Sequence, residues 1–312
     1  MRTQPIPSSG NTAPAAGDAP IPGAHVPVLS LESLSALQIA PGDVVVDATL
    51  GGAGHATQIA QQLGAEGVLI GFDLDEAAIR RAEAALGGAR PRVILEQANF
   101  TTVREACMRE GIVPTKALFD LGWSSYQLSG RGMSFMRDEP LDMRYGDTPL
   151  TARAIVNAWE ESSLADVIFG WGEERFARRI AKAIVTAREM RPIETTAQLA
   201  DIVRGAVPPP ARRGRIHPAT KTFQALRIAV NDELGSLAEA LRSLWTILAP
   251  GGRIAVITFH SIEDRVVKEQ FAQWEKGREG RRLTKKPVPA GREEIARNPR
   301  ARSAKLRTIE KL

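Results

Sequence analysis

Short apolar runs that alternate with helical patterns dominate the first half of the chain after an irregular start. Runs rich in β-branched residues predict four strands, and apolar residues spaced three or four apart predict a helix after each of the first three. The predicted strands are 44–47, 67–73, 93–95 and 117–120. Strands that alternate with helices indicate right-handed crossovers and a mainly parallel α/β sheet.

The alternation stops between residues 130 and 218, where helical patterns and loops occur without a convincing strand. This stretch of roughly 90 residues has the size of a small domain and predicts a helical insertion. The α/β pattern then resumes with a helix over 222–248 interrupted near Gly235, a strand over 253–259, a helix over 262–274 and a last strand over 306–309. The predicted domains are therefore 25–129 with 219–312, the insertion 130–218, and a disordered tail, 1–24, rich in Pro, Ala, Ser and Gly.

Composition narrows the class of protein. The chain has 312 residues and a single cysteine, Cys107, which excludes an internal disulfide and fits a reducing compartment. No apolar run approaches the length that spans a bilayer, and no secretory signal is visible, so we expect a cytoplasmic protein. The net charge is +5, but residues 276–312 alone carry 13 Lys/Arg against 4 Glu. That basic segment fits either a solvated tail or a phosphate-contacting surface.

The turn after the first strand carries the clearest chemistry. Asp47 ends the strand, and the glycines of Gly51–Gly54 then lead into a helix, so a ligand can approach the main chain and the free N–H groups of the helix. Asp73 ends the second strand, 22 residues after Gly51, where a carboxylate can accept hydrogen bonds from ribose hydroxyls. An ordinary tight turn is the alternative, but the loop, the spaced acid and the further βα units together favour a nucleoside site.

Asp120 follows the fourth strand and therefore faces the same crevice as Gly54 and Asp73, although a turn cap is the alternative role. It is the candidate catalytic residue. The acidic residue before the glycines, in place of a clean G-x-G-x-x-G, is the form seen in S-adenosylmethionine enzymes rather than in dinucleotide enzymes.

Several long motifs resemble the ribosomal RNA small subunit methyltransferase H family from about His25 onward. They are DLGWSSYQL at 120–128, RGMSFMRDEPLDMR at 131–144, GEERFARRIAKAI at 172–184, HPATKTFQALRIAVNDEL at 217–234, FHSIEDRVVK at 259–268 and NPRARSAKLR at 298–307. The resemblance implies a class I S-adenosylmethionine-dependent methyltransferase fold with an inserted helical domain. It also implies methylation of the exocyclic N4 of a cytidine in the decoding region of 16S rRNA, within the small ribosomal subunit.

The resemblance also implies roles for individual residues. The cofactor S-adenosyl-L-methionine would be contacted by Ala53, Gly54, His55, Asp73, Phe100, Asp120 and Gln127. Ala53 stands where the family usually has glycine, which a main-chain contact tolerates if its φ is negative. Trp123 and Tyr126 replace the commoner Val and Pro, which changes the expected packing near the pocket.

Substrate contacts are predicted on both sides of the crevice. A cytosine amine is a poor nucleophile, so its protons need an acceptor, and Asp120 is the candidate. His260 and Asn231 are candidates for the base, with helix capping as the alternative for Asn231, whereas His217 is expected to be structural. Candidate phosphate contacts are Arg212, Arg213 and Arg215. No His/Cys spacing indicates a metal site.

Other functions remain open from sequence. A methyltransferase acting on DNA or a small metabolite, a non-catalytic RNA-binding or assembly factor, and a nicotinamide dehydrogenase are the alternatives, the last disfavoured by the glycine loop. The sequence is compatible with a homodimer and gives no sign of a membrane partner.

Overall fold

A computed structural model describes residues 27–122, 130–214 and 216–312. The predicted disordered tail, together with Trp123, Tyr126, Gln127 and Arg215, lies outside the described residues.

One mixed sheet organises the described chain. Its strands follow the order β3-β2-β1-β4-β5-β8-β6, with β7 paired to β8; neighbours are parallel from β3 to β5, and β8 runs antiparallel to β5 and β6. The α/β fold of the class I methyltransferase type, with a helical insertion, is therefore confirmed. The strands are β1 Val44–Asp47, β2 Val68–Asp73, β3 Arg92–Gln97, β4 Lys116–Asp120, β5 Arg253–Thr258, β6 Gly280–Arg282, β7 Val288–Pro289 and β8 Lys305–Lys311.

Helices cover both faces of the sheet and build the insertion. They are α1 Ser30–Leu37, α2 Gly54–Gln62, α3 Glu76–Leu86, α4 Val103–Glu110, α5 Ala152–Ala158, α6 Glu161–Gly170, α7 Ala177–Met190, α8 Thr196–Ala206, α9 Pro209–Arg212, α10 Thr220–Asn231, α11 Glu233–Ile247, α12 Ser261–Lys276 and α13 Arg292–Arg297, with 3-10 helices at Phe100–Thr102 and Pro299–Ser303. Within the described residues, no helix is both long and apolar enough to cross a membrane.

Side chains of the central strands alternate between two apolar cores. In β1, Val45 packs with α1, α2 and α3 on one face, and Val46 packs with α4, α11 and α12 on the other. Leu118 and Phe119 of β4 divide in the same way. Because both faces are covered, the strands are apolar at nearly every position, which is why they stand out in the sequence.

The insertion has an apolar core of its own, built by α5, α6, α7 and α8. Helix α10 also contributes Phe223, Leu226 and Val230 to this core. The next helix, α11, packs its Leu237 and Leu241 against the sheet instead. The α10–α11 junction thus links the two cores.

Local structure differs from the sequence prediction at two places. The break predicted near Gly235 in the 222–248 helix lies three residues earlier, at Asp232, whose φ is 45°. Gly235 continues α11, and a Cβ there would come within 2.4 Å of the Asp232 carboxylate, which would have to move to make room. Between the predicted helix over 262–274 and the predicted last strand, the structure contains β6, β7 and α13, which the sequence did not predict because they are too short to show periodicity.

Candidate functional site

A cavity lies at the carboxyl ends of the parallel strands, where an open α/β sheet places its ligands. We call it the strand-end cavity. Its lining comes from the segments that follow β1, β2, β3 and β4, from the α10–α11 junction, from the start of α12 and from the segment before α5. Among the lining residues are Thr49, Gly51, Asp73, Phe100, Asp120, Leu121, Tyr145, Asn231, Glu233 and Glu263.

The loop after β1 is held between the neighbouring strands. Thr49 accepts a hydrogen bond from the backbone N–H of Asp120 through its Oγ1, at 2.8 Å. Leu50 donates its backbone N–H to the carbonyl of Phe72 at 3.0 Å. These bonds connect the ends of β1, β2 and β4, so the loop presents its main chain to the cavity in a fixed position.

Asp73 closes β2 and lines the cavity. Its Oδ2 accepts the N–H of Gly51 at 2.8 Å, and its Oδ1 accepts the N–H of Asp75 at 2.9 Å. Burial raises the pKa of this carboxyl, and the two backbone N–H groups partly offset that effect. A carboxylate oxygen can accept more than one hydrogen bond, so Asp73 keeps acceptor capacity for a ligand hydroxyl.

Asp120 is buried at the end of β4, and its Oδ1 has no hydrogen-bond partner among the described residues. Burial raises its pKa to about 8, with a further contribution from the charge of Asp47, while the nearby N–H of Gly122 lowers it. Asp47 is also buried, and burial raises its pKa to about 7. Such shifts concentrate at reactive sites, because a proton acceptor works best near the operating pH.

The residues that follow the glycine loop sit behind the cavity rather than in its lining. Ala53 has a φ of 60°, not the negative value under which alanine replaces glycine freely. Gly54 starts α2 in a place where a Cβ would meet the ring of Pro27 at 3.0 Å. His55 is buried, with Nε2 3.1 Å from the carbonyl of Val28 and Nδ1 3.5 Å from Oδ2 of Asp120. It therefore supports Asp120 from beneath.

Phe100 and Asn231 both line the cavity. Phe100 packs edge-to-face on Phe119, with ring centroids 5.8 Å apart, so its ring is fixed. The amide of Asn231 donates to the carbonyls of Met143 and Arg227 and accepts the N–H of Tyr145, at 2.8–2.9 Å. Its hydrogen bonds thus tie an insertion loop to α10, the structural alternative for this residue.

The sequence analysis missed a buried network beside Asn231. Arg227 forms two hydrogen bonds to the carboxylate of Glu233, at 2.7 and 2.9 Å, and the hydroxyl of Tyr145 donates to the same carboxylate at 2.9 Å. All three lie within the 131–144 and 217–234 motifs or directly beside them. No spacing rule pairs them, because Tyr145 comes from a distant part of the chain.

A second cavity, of about 300 Å³, adjoins the first and shares Leu121 and Glu263 with it. We call it the aromatic cavity. Besides these two, its lining includes Phe135, Phe223, Phe259, Gln224, Arg227 and His260.

His260 caps α12, because its Nδ1 accepts the N–H of Glu263 at 3.3 Å. The carboxylate of Glu263 in turn accepts the N–H groups of Phe259 and His260. These interactions fix the wall between the two cavities.

His217, for which a structural role was predicted, stacks on Phe135 with ring centroids 4.5 Å apart.

Glu233, His260 and Glu263 bring three potential metal ligands within 4.8 Å of one another. Glu233 is already neutralised by Arg227, and Glu263 accepts two capping N–H groups. Because both carboxylates already have these partners, we assign no metal to the cluster.

The three arginines predicted to contact phosphates differ in their surroundings. Arg212 donates to the carbonyls of Val207 and Gly205, at 2.7 and 2.9 Å, and so caps the end of α8. Arg213 is exposed, and Arg215 is outside the described residues.

Much of the charge in the basic C-terminal segment stabilises the fold. Four of its cations pair with Glu275, Glu310 or Asp264, and a fifth donates to the carbonyls of Trp245 and Leu248. These five are Arg281, Arg282, Lys305, Arg307 and Lys311.

Similarity to known proteins extends over nearly the whole chain. The sequence model of the MraW methylase family matches residues 23–312. Ribosomal RNA small subunit methyltransferase H of Symbiobacterium thermophilum is 48% identical over 307 residues, covering 92% of this chain and 96% of that protein. The protein of the same name from Geobacter sulfurreducens is 49% identical over 309 residues, covering 92% and 99%. A crystal structure of a rRNA methylase from Streptococcus thermophilus aligns at 12% identity over 91% of this chain and 95% of that one, with a TM-score of 0.43.

Proposed function

The chain belongs to the MraW methylase family, and from this premise we propose that it transfers a methyl group from S-adenosylmethionine to N4 of a cytidine in the decoding region of 16S rRNA. The resemblance carried by the sequence motifs is thereby confirmed at the level of the family. Curated relatives that are nearly half identical over their whole length are named for methylation of small-subunit ribosomal RNA, which supports the substrate.

The strand-end cavity suits the adenosyl part of the cofactor. Asp73 would accept the ribose hydroxyls with the lone pairs that Gly51 and Asp75 leave available. Phe100, held by Phe119, would lie against the adenine. Ala53, Gly54 and His55 would act by holding the loop and Asp120 from behind.

The aromatic cavity suits the target base. Its three phenylalanines offer apolar faces to a base turned out of its stack, and Gln224, His260 and Glu263 border it with polar groups. Because this cavity meets the strand-end cavity at Leu121, the residue after Asp120, an amine held in it would lie beside the Asp120 carboxyl.

The observation that carries the reaction is this buried acid in the strand-end cavity, next to Leu121, where the two cavities adjoin. The bound cofactor would supply an electrophilic methyl group on a sulfonium. The walls around Leu121 and Glu263 would align the amine and keep water out. The ionised carboxylate of Asp120 would accept the proton that the amine loses when it forms its new bond to carbon.

The test of the reaction uses small ribosomal subunits that lack the modification. We expect the protein to transfer tritium from labelled S-adenosylmethionine to 16S rRNA, and mass mapping to place N4-methylcytidine in the decoding region. Label on DNA or on a small metabolite in preference to subunits would contradict the substrate. Label on another atom or another region of the rRNA would contradict only the proposed position.

The cofactor site is tested separately by calorimetry. Asp73→Ala should weaken S-adenosylmethionine binding at least about tenfold, since a charged hydrogen-bond acceptor is lost. The exposed Asp201→Asn, far from the cavity in sequence and fold, serves as the control. An unmodified protein that fails to bind the cofactor would favour a non-catalytic assembly factor.

A further inference from the structure

A third cavity, of about 370 Å³, lies between two helices of the insertion, α6 and α7. We call it the α6–α7 groove. It is lined by Asp166, Phe169, Arg175, Phe176, Arg178 and Arg179, with two alanines at its floor.

The lining of the groove carries a net positive charge, because three arginines face a single acidic residue, Asp166. Arg175, Arg178 and Arg179 are exposed, and none forms an ion pair within the described parts of the chain. Helix α7 has no acidic residue in its first turn to offset the latter two. This differs from the C-terminal segment, where many cations are engaged by Glu or Asp.

An aromatic ring lies beside these cations. Phe169 is 66% exposed, although burying such a ring would be favourable. The guanidinium of Arg175 lies 4.6 Å from the ring centre of the adjacent Phe176. Exposed aromatic faces next to arginines are the combination that binds single-stranded nucleic acid, by stacking on bases and by pairing with phosphates.

The groove connects to the proposed active site through the turn between α6 and α7. Glu173 in that turn accepts hydrogen bonds from Ser261 and Arg265 at the start of α12. Helix α12 begins directly after His260, which lines the aromatic cavity. The turn is therefore fixed to the rim of that cavity, and Arg175 follows Glu173 by two residues.

We propose that the α6–α7 groove binds the RNA strand that flanks the target nucleotide. Arg175, Arg178 and Arg179 contact its phosphates, and Phe169 stacks on one of its bases. The inference rests on the proposed function in that the substrate is RNA. The positive charge of the groove favours a polyanionic partner. The exposed ring of Phe169 favours a polyanion with unstacked bases, such as single-stranded RNA, over a polyanion without bases.

The experiment measures binding of the full chain to an RNA fragment of the decoding region over a range of salt concentrations. Arg178→Gln/Arg179→Gln should raise the Kd about tenfold at 100–150 mM salt. It should also reduce the slope of log K against log salt by about 1.5, since each phosphate contact contributes roughly 0.7–0.9.

Phe169→Ala should weaken binding several-fold without changing the slope, because stacking releases no counterions, and Phe169→Tyr should restore it. The matched control is Arg80→Gln/Arg204→Gln. It removes the same charge from two exposed arginines that already pair with acids. S-adenosylmethionine binding by every variant should equal that of the unmodified protein.

Unchanged RNA affinity and salt slope in the Arg178/Arg179 variant would overturn the proposal that the groove binds RNA. An equal loss in the Arg80/Arg204 control would also overturn it, because total charge would then explain the effect. Failure of the unmodified protein to bind the fragment or intact subunits would remove both the RNA substrate and the groove.

Discussion

The Nδ1 atom of His55 lies 3.5 Å from Oδ2 of Asp120; both side chains are buried, and Asp120 lines the strand-end cavity whereas His55 does not. On the far side of the ring, Nε2 lies 3.1 Å from the carbonyl of Val28. Because a carbonyl can only accept, Nε2 carries a hydrogen. Nδ1 then faces the Asp120 carboxyl, so His55 fixes the side of Asp120 that points away from the cavity.

The first prediction concerns the pH dependence of methyl transfer. Since the pKa of Asp120 is raised to about 8 and its ionised form accepts the proton, single-turnover rates should rise from pH 6 and level off near pH 9. Asp120→Asn should lower the rate at least about 100-fold and remove this rise. Near-normal turnover by Asp120→Asn, with cofactor binding intact, would exclude the role.

The second prediction concerns stability. Asp47 and Asp120 have folded-state pKa values of about 7 and about 8, above the unfolded value of about 3.9. Between about pH 4 and pH 8 the folded state therefore binds more protons, and the free energy of unfolding falls as pH rises. Asp47→Asn and Asp120→Asn should each reduce this fall.

Urea unfolding at pH 5.5 and pH 8.5 measures the effect. For each protein we take the loss in free energy of unfolding between pH 5.5 and pH 8.5. This loss should be smaller in each variant than in the unmodified protein, by at least ~1 kcal/mol. Asp201→Asn, at an exposed position, is the control. Parallel pH curves for the Asp120 variant and the unmodified protein would show that this carboxyl ionises as readily when folded as when unfolded.

The third prediction concerns the positive φ of Ala53. Ala53→Gly relieves about 1–2 kcal/mol of left-handed strain, but it adds unfolded-chain entropy and removes a buried methyl, so stability should stay within about 1 kcal/mol. Ala53→Val places a branched side chain in this conformation at a buried position and should cost more than ~2 kcal/mol. Equal stability of the two variants would be the contrary result.

The fourth prediction concerns the Arg227–Glu233 pair. Glu233→Gln leaves a buried guanidinium without its counter-charge and should cost about 3–5 kcal/mol, whereas Arg227→Met/Glu233→Leu should cost less than the sum of the single changes. Tyr145→Phe should cost about 1 kcal/mol.

The control is an exposed ion pair. Arg204→Ala, which breaks the pair with Asp201, should cost under ~1 kcal/mol in the same urea assay. Similar losses for the buried and exposed pairs would contradict this account.

The sheet and the part of the site at the ends of its parallel strands were predictable, because their sequence signals are local. β1, β2 and β4 are buried on both faces and appear as apolar runs, and the acids at their ends must meet at one edge of a parallel sheet. The sequence placed Gly54, Asp73 and Asp120 at one crevice; Asp73 and Asp120 do line the strand-end cavity, whereas Gly54 is not part of its lining.

The remainder depends on contacts between distant segments. Glu233 becomes part of the site through Arg227 and Tyr145. The guanidinium of Arg212 donates to two carbonyls at the end of α8, an interaction that no sequence pattern indicates. The positive φ of Ala53 follows from how α2 begins against the sheet, which residue type does not reveal. The helix breaks at Asp232, where the chain passes from one core to the other, although Gly235 has the lower intrinsic helix propensity.

Strands β4 and β5 are neighbours in the sheet, yet the entire insertion separates them along the chain. If the insertion were still unfolded, joining these strands would require closing a very long loop, at a corresponding loss of chain entropy. Because α5, α6, α7 and α8 share a core of largely local contacts, they can collapse early and draw the two strands towards each other. We therefore expect early folding of the insertion to set the rate at which the sheet is completed.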